Sequence, residues 1–521
     1  MKVAATTALA LLVLALAARG HGATQPTLLL EGTVVTMDAA HHVLPQGRVL
    51  VRDGLIVAVW SGSPPTGIST AGARVVSAGR GGLLFPGLIN LHDHPSHDVL
   101  PLWLPPRSYD NRYQWSLTSP PTFVRLVQRP HALLAARGLQ RDVLLHAEAH
   151  AALAGETALE GVGSPGTPPV LIREIEGTNF LRSDIDSWVP SIGDFTGAAA
   201  LRERIARGQT HVWIVHLAEG VRDGDRRRGD AFSSRHELEI VRSFGLLTPA
   251  LVVVHGTALE RADFAELAAA HAKLVWSPTS NLLLYGRTAN VYDALAAGVT
   301  VSLGTDWTPS GSPTLLDELK VADIALRDRR ILGRSRTLDD PSLDRTLVDM
   351  VTRNPAQALG WTEVGSLEPG KHADVLLIRR PRHSPTGGMP ASPYRSLIDA
   401  TQRDVRLVVL DGMALAGDRD ALRAAGAQQV QLVRSARGRF TKGIVIPGAS
   451  VTAAETRLRR ILRSLHTTLP PLFTADDHFF LNVLTGRKDK HPPYRLYPAK
   501  LNFIAAAGDP FGRFGARWYR P

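Results

Sequence analysis

Two histidines at the end of an apolar run set the chemistry of this chain. Residues 82–95 read Gly-Leu-Leu-Phe-Pro-Gly-Leu-Ile-Asn-Leu-His-Asp-His-Pro. Side chains alternate across a strand, so His92 and His94 share one face and Asp93 takes the other. Paired imidazoles form half of a metal site. Three later apolar runs end in further ligand types: 212–216 in His216, 251–255 in His255 and 299–306 in Asp306. Histidine and carboxylate donors together suit Zn or Fe(II). Such a site leaves a position for water, whose pKa the metal lowers towards about 7. A leaving group also needs a proton. Glu219 stands three residues past His216, where strand gives way to loop, and can reach over the metal as a general acid/base.

These residues need strands that end at one level. The runs ending at His216 and His255, a strand at 273–277 and the run ending at Asp306 alternate with helical stretches at 235–244, 260–272, 291–297 and 315–327. Repeated βα units predict an α/β fold with a parallel sheet, and about eight units fit 84–365. Pro-rich loops blur the pattern between 100 and 210. A doubly wound open sheet fits the periodicity too. Ligands at the C-terminal ends of several strands favour a (β/α)8 TIM-like barrel, whose active sites sit at that face.

Short alternating strands flank this block, at 27–37 and 48–59 on one side and at 373–378 and 405–412 on the other. They predict a discontinuous small β-sandwich domain built from 24–83 and 366–418. Residues 419–521 form a C-terminal extension. Within it, Thr452-Ala453-Ala454-Glu455 has the form of a capping box. It opens a basic amphipathic helix with Leu458, Ile461, Leu462 and Leu465, expected to pack on the body, with attachment to a membrane surface as the alternative.

Composition narrows the classes. The chain has 521 residues, of which 44% are hydrophobic, and a net charge of +11. Such a length predicts more than one domain, and the apolar content an ample core. A basic balance favours anionic partners in general. The arginines are dispersed, however, with one short run at Arg226-Arg227-Arg228, so nucleic-acid binding is not expected. Lys2, the apolar stretch from Val3 to Ala18 and the small residues of Ala15-Leu16-Ala17 predict a secretory signal peptide over 1–23. The stretch falls short of the ~20 residues that span a bilayer. The expected location is secreted or periplasmic, with no membrane association beyond export. The chain has no cysteine, which excludes a disulfide framework, thiolate ligands and a lipidated N-terminal Cys.

From Thr27 to about Asp418 the chain resembles the amidohydrolase superfamily. Pro-Gly-Leu-Ile-Asn-Leu-His-Asp-His (86–94) is similar to its first-strand signature. His216-Leu217-Ala218-Glu219, Ser277-Pro278-Thr279-Ser280-Asn281 and Leu303-Gly304-Thr305-Asp306 resemble the branch that contains cytosine deaminase, S-adenosylhomocysteine deaminase and the triazine hydrolases. Gly365-Ser366-Leu367-Glu368-Pro369-Gly370-Lys371-His372-Ala373-Asp374 resembles the return into the β-sandwich. The resemblance implies a (β/α)8 barrel with one divalent metal, Zn before Fe, held by His92, His94, His216 and Asp306. It implies that Glu219 shuttles protons and that His255 orients or polarises the attacking water or the substrate. Many binuclear members use a carbamylated lysine on the fourth strand. No lysine occurs between Lys2 and Lys273, so a bridge would need a carboxylate, with Glu174 and Glu176 the candidates. Export and the extension depart from the familiar deaminases.

The loop 96–115 leaves the first-strand ligands directly and carries Trp103, Arg107, Tyr109, Arg112, Tyr113 and Trp115. Trp103 and Arg112, with Trp307 beside Asp306, are the candidate substrate-binding residues. His146-Ala147-Glu148-Ala149-His150 has zincin-like spacing with the Glu misplaced, and is expected on a helix surface. The run from Arg222 to Asp230 is expected in a solvated loop. The expected function is therefore an exported metal-dependent hydrolase acting on non-peptide carbon–nitrogen bonds of a small molecule, an amino-heterocycle or an amide, with no signal for a particular oligomer. Two alternatives stand beside it: a binuclear amidase or lactonase with a carboxylate bridge, and a catalytically silent binding protein on the same barrel.

Overall fold

The structure is a computed structural model and describes residues 25–161, 171–222, 234–327, 332, 341–381, 390, 392–436 and 438–474. The leader, most of the Arg222–Asp230 run and the chain past Thr474 lie outside the described residues.

The first strands form a meander. β1 (Leu28–Val35) pairs antiparallel with β2 (Val43–Arg52), which pairs with β3 (Leu55–Ser61). Asp53 and Gly54 join β2 to β3, each at positive φ, as a tight hairpin turn requires. β4 (Arg74–Ser77) and β5 (Leu83–Pro86) run parallel to β1.

The central block is built of parallel strands. β6 (Leu88–Asn90), β7 (Glu156–Leu159) and β8 (Arg173–Glu174) make one three-stranded sheet. Helix α1 (Gln140–Leu153) leads into β7. β9 (Ile185–Trp188), β10 (Val212–Leu217), β11 (Leu251–His255), β12 (Lys273–Trp276) and β13 (Thr300–Leu303) make a second sheet, ordered as in the sequence. Helices α2 (Ala198–Ala206), α3 (His236–Ser243), α4 (Arg261–Ala269), α5 (Pro278–Tyr285), α6 (Val291–Ala297) and α7 (Leu315–Arg327) alternate with these strands. The fold is therefore α/β with parallel sheets.

Backbone bonds join the two parallel sheets at the site. Asp93 bridges Asp306 in parallel fashion, the Asp306 N–H donates to the His92 carbonyl at 3.0 Å, and the His94 N–H donates to the Asp306 carbonyl at 3.0 Å. Gly304 permits this approach, because a Cβ there would run into His92.

Strands covered on both faces read as continuous apolar runs. Every residue of β10 and of β11 is buried. Val212, Ile214, Val252, Val254 and Val275 pack with Ile89 and Leu91 on one face. Trp213, Val215, Val253, Leu274 and Trp276 meet Leu238, Val241, Phe264, Leu267 and Leu319 of the helices on the other. Full burial of one such side chain contributes roughly 1.5–3 kcal/mol.

The two ends of the chain share a ten-stranded sheet. β14 (Val375–Ile378) pairs antiparallel with β5, and β15 (Val405–Leu410) and β16 (Met413–Gly417) continue it. β17 (Val430–Arg434) and β18 (Thr441–Val445) then extend that sheet past Asp418.

Helix α8 (Val451–Ser464) corrects two expectations. Its N-cap is Ser450, whose Oγ accepts from the Ala453 N–H at 3.3 Å, so Thr452 lies inside the helix and Glu455 pairs with Arg459 at 2.8 Å instead of closing a capping box. Two bonds of 2.6 Å join Arg457 to Asp142 of α1, and Leu458 and Leu462 pack with Val143 and Leu134. The polar segment His146–His150 is consequently buried, with His146 fully covered and His150 5% exposed. It is not a helix surface, because a distant part of the chain covers it.

Candidate metal centre and proton-transfer site

The ligand-type residues arrive at strand ends. His92 and His94 follow β6, His216 is the penultimate residue of β10, His255 ends β11, and Asp306 follows β13. Ala218, His255 and Asp306 have φ of 55°, 73° and 66°. Non-glycine residues rarely adopt this left-handed region, at a cost of about 1–3 kcal/mol each, and such positions gather at functional sites. Here each of them turns the chain sharply where a strand stops.

The side chains converge. His94 Nε2 lies 3.3 Å from His216 Nε2. Asp306 Oδ1 lies 3.5 Å from His92 Nε2 and 3.6 Å from His94 Nε2. Ligand atoms of His92, His94 and Asp306, and likewise of His92, His216 and His255, fall within 4.8 Å of one another. All but His94 are buried.

This donor set fits a cation. Among the described residues neither ring nitrogen of the fully buried His92 meets a partner at hydrogen-bond geometry, the Glu160 and Asp306 carboxylates standing off at 3.4 and 3.5 Å, and a buried polar atom left so is costly. Burial alone would push the His92 pKa down, but the Asp306 and Glu160 carboxylates carry it up to about 10. The carboxylates thus demand positive charge at this point. A proton on His92 meets that demand, and so would a divalent ion. Burial pushes the pKa of His94 down and those of His216 and His255 well down, which favours neutral rings with lone pairs to offer.

A buried hydrogen-bond chain distinguishes His255 from the other histidines. Trp276 Nε1, which can only donate, donates to Thr288 Oγ1 at 2.6 Å. The Thr288 hydroxyl donates in turn to Asn281 Oδ1 at 3.3 Å. Asn281 Nδ2 then donates to His255 Nδ1 at 3.0 Å. Nδ1 of a neutral His255 therefore accepts, and Nε2 carries the proton. That Nε2 faces Glu219 Oε2 at 3.5 Å.

Glu219 is buried, and burial raises its pKa while the Arg112 guanidinium opposes the rise. Its Oε1 accepts from the Tyr285 hydroxyl at 2.5 Å, and its Oε2 lies 3.7 Å from Arg112 Nη1. Gly220 lets the loop turn here, at φ 143° and where a Cβ would strike Asp110 and Asn111.

The three candidate substrate-binding residues differ in position. Arg112 is buried beside Glu219 and donates to the Val189 carbonyl at 2.7 Å. Trp307 stands edge-on to His94 and His97, with ring centres 6.2 and 5.0 Å away. Trp103 is fully covered, its indole donating to Thr122 Oγ1 at 3.1 Å, and it packs against Phe123. Glu174 and Glu176 fall in neither ligand group among the described residues; Glu176 accepts from the Gly161 N–H at 2.8 Å.

Four participants were not singled out from the sequence. Glu160 accepts from the Asp93 N–H at 2.9 Å and lies 3.4 Å from His92 Nδ1. Glu237 accepts at 2.5 Å from the Ala218 N–H and from the Tyr113 hydroxyl. Asn281 and Tyr285 sit on α5. Only Asn281 had a signal, its place in the Ser277–Asn281 motif.

Residues 83–414 match the amidohydrolase family. The 5-methylthioadenosine/S-adenosylhomocysteine deaminase of Nitratidesulfovibrio vulgaris is 28% identical over 423 residues, covering 75% of this chain and 92% of that protein. The enzyme of the same description from Bacillus cereus is 25% identical over 418 residues, covering 74% and 93%. Among solved structures, an adenosine deaminase from Xanthomonas campestris with bound zinc aligns at TM-score 0.60 and 20% identity, over 85% of this chain and all of that one (100%). An atrazine chlorohydrolase from Arthrobacter aurescens complexed with zinc aligns at TM-score 0.59 and 18% identity, over 83% and 99%.

Proposed function

The chain belongs to the amidohydrolase family, and from that premise we propose that it is an exported zinc-dependent deaminase or amide hydrolase of a small heterocyclic substrate. The eight parallel strands β6 to β13 are read as the staves of a (β/α)8 barrel, with the site at their C-terminal ends. The observation that carries the reading is the convergence of His92, His94, His216 and Asp306 with Glu219 and His255 alongside.

His92, His94, His216 and Asp306 would hold one zinc ion. When bound, it would supply an activated water and polarise the carbon under attack. His255, with its proton on Nε2, donates to the oxygen that gains charge at that carbon. Glu219 takes a proton from the nucleophile and returns it to the departing nitrogen. Trp307 walls the site, and the Arg112 guanidinium offsets the charge of the buried Glu219.

The deaminases among the relatives favour an aminated ring as substrate. The test is a screen of zinc-loaded protein on adenosine, 5-methylthioadenosine, S-adenosylhomocysteine, guanine, aminotriazines, N-acyl compounds and lactams. Ammonia release is followed separately from ring opening, with the variant E219Q as control. Ammonia from at least one aminated ring, lost 10²–10⁴-fold in E219Q with zinc retained, is the expected result. Full activity in E219Q overturns the assignment of the proton carrier. Export is tested by mass spectrometry of the mature N-terminus, expected after Ala17 or within the next several residues.

A further inference from the structure

On the reading that Glu219 carries the proton, we infer that Tyr285, itself held by Trp115, is the positioning residue that aims the Glu219 carboxylate into the site. Tyr285 is the last residue of α5 and is buried. Its hydroxyl donates to Glu219 Oε1 at 2.5 Å. Trp115 Nε1 reaches the same phenol oxygen at 3.0 Å. An indole N–H can only donate, so the phenol oxygen accepts there and its own proton is committed to Glu219. One carboxylate oxygen is thereby tied, while the other, Oε2, faces His255 and Arg112.

The anchor is rigid at its far end. Helix α5 stops at Gly286, whose φ of 66° ends it immediately after Tyr285. The loop that carries Trp115 is pinned to the same turn, since the Tyr109 N–H donates to the Leu284 carbonyl at 2.7 Å. The Trp115 ring lies 5.8 Å from Trp307 and 5.3 Å from Phe123. The loop leaving the first-strand ligands therefore reaches the proton carrier through two side chains. Glu219 cannot be aimed unless that loop is in place, which ties proton transfer to the order of the wall around the substrate. A misplacement of about 1 Å at a reacting group can cost on the order of 10²-fold in rate.

Two variants each remove one donor: Y285F with little change of volume, and W115F with a smaller ring left against Phe123 and Trp307. A double-mutant cycle in urea unfolding pairs Y285F with E219M, which lacks an acceptor. Y285F is expected to lower the folding equilibrium constant at least about 5-fold more in the native background than in E219M. With the substrate found in the screen, Y285F and W115F should lower kcat roughly 10–100-fold, leaving KM within about 3-fold and zinc content unchanged. Equal effects of Y285F in the two backgrounds, or a native kcat in Y285F, overturn the inference. If E219Q stays active the proton-carrier reading fails instead, and the unfolding cycle still decides whether the tether exists.

Discussion

Asn281 Nδ2 lies 3.0 Å from Nδ1 of His255, and the amide is held in that orientation by Thr288 and, behind it, Trp276. The imidazole is therefore a donor at Nε2, although the ring stands within 5.0 Å of the His216 ring and 5.2 Å of the His92 ring. Replacing Asn281 by Asp reverses the polarity. A carboxylate accepts from Nδ1–H, and Nε2 is left with a lone pair where the proposed reaction calls for a donor. N281D should keep its fold and zinc while kcat/KM falls about 10²–10⁴-fold, within the range for one lost proton-transfer or charge-stabilising contact. Steady-state kinetics beside zinc analysis decides it. Unchanged turnover would mean that the tautomer of His255 is irrelevant to the reaction.

Metal content should separate ligands from neighbours. One tightly bound divalent ion per chain is expected in protein purified without added metal. H216A should lose it, whereas H255Q should retain it. Metal removal should also destabilise the protein, because a ligand present at a hundred times its Kd contributes about 2.7 kcal/mol to folding. Elemental analysis and thermal midpoints before and after chelation are the measurements. Two equivalents per chain, each needed for activity, would sink the single-ion reading.

Stability should respond to pH through the histidines under α8. Burial pushes the His150 pKa down to about 4 from its ordinary 6.5, and His146 one turn earlier is also held down. The unfolded chain then binds a proton below about 6.5 that the folded chain refuses until about 4. The contribution of His150 is fully present above about 6.5 and is lost as pH falls to about 4, to the extent of about 3 kcal/mol. Glu156 and Glu318, pushed up to about 8 by burial, act oppositely, losing their contribution as pH rises. A difference curve isolates the histidine. Between pH 7 and 4.5, wild type should lose about 2–3 kcal/mol more in urea unfolding than H150Q. Equal losses in the two proteins would refute the assignment.

The parts of the molecule that were legible in the sequence are those encoded locally. Helices α6 and α7 lie at 291–297 and 315–327, the residues read from periodicity, and α6 stops at Gly298, a left-handed C-terminal cap. Strands β10 and β11 were visible as apolar runs because both faces are covered. β8 was not, since Arg173 and Glu174 are two half-buried polar residues with no period to detect. Register against β7 places them. In the site, ligand types at strand ends could be seen one segment at a time. The contacts of Glu219 with Tyr285 and of His92 with Glu160 could not, because each joins distant segments whose meeting depends on the tertiary fold. Thr452 fits a capping box because that pattern specifies spacing alone, but the N-cap is Ser450, two residues earlier, whose hydroxyl accepts from the Ala453 N–H.

The two tryptophans around the site should behave differently on truncation. Trp103 is wholly enclosed, with Phe123 at 4.8 Å and Trp115 at 6.3 Å between ring centres. W103A should cost about 3–5 kcal/mol of stability, the usual range for a large aromatic removed from packing. Whatever folds should keep its kcat and KM. W103F, which leaves most of the packing, should restore the midpoint. Trp307 lies against His94 and His97 and is 7% exposed, and its indole donates to Ser310 Oγ at 2.5 Å. If Trp307 walls the substrate site as proposed, W307A should raise KM or lower kcat/KM about 10–200-fold with zinc retained. Thermal midpoints and steady-state kinetics on the same preparations separate the two roles. Should W103A change substrate preference while W307A changes only the midpoint, the assignments are reversed, and the substrate lies on the Trp103 side of the loop.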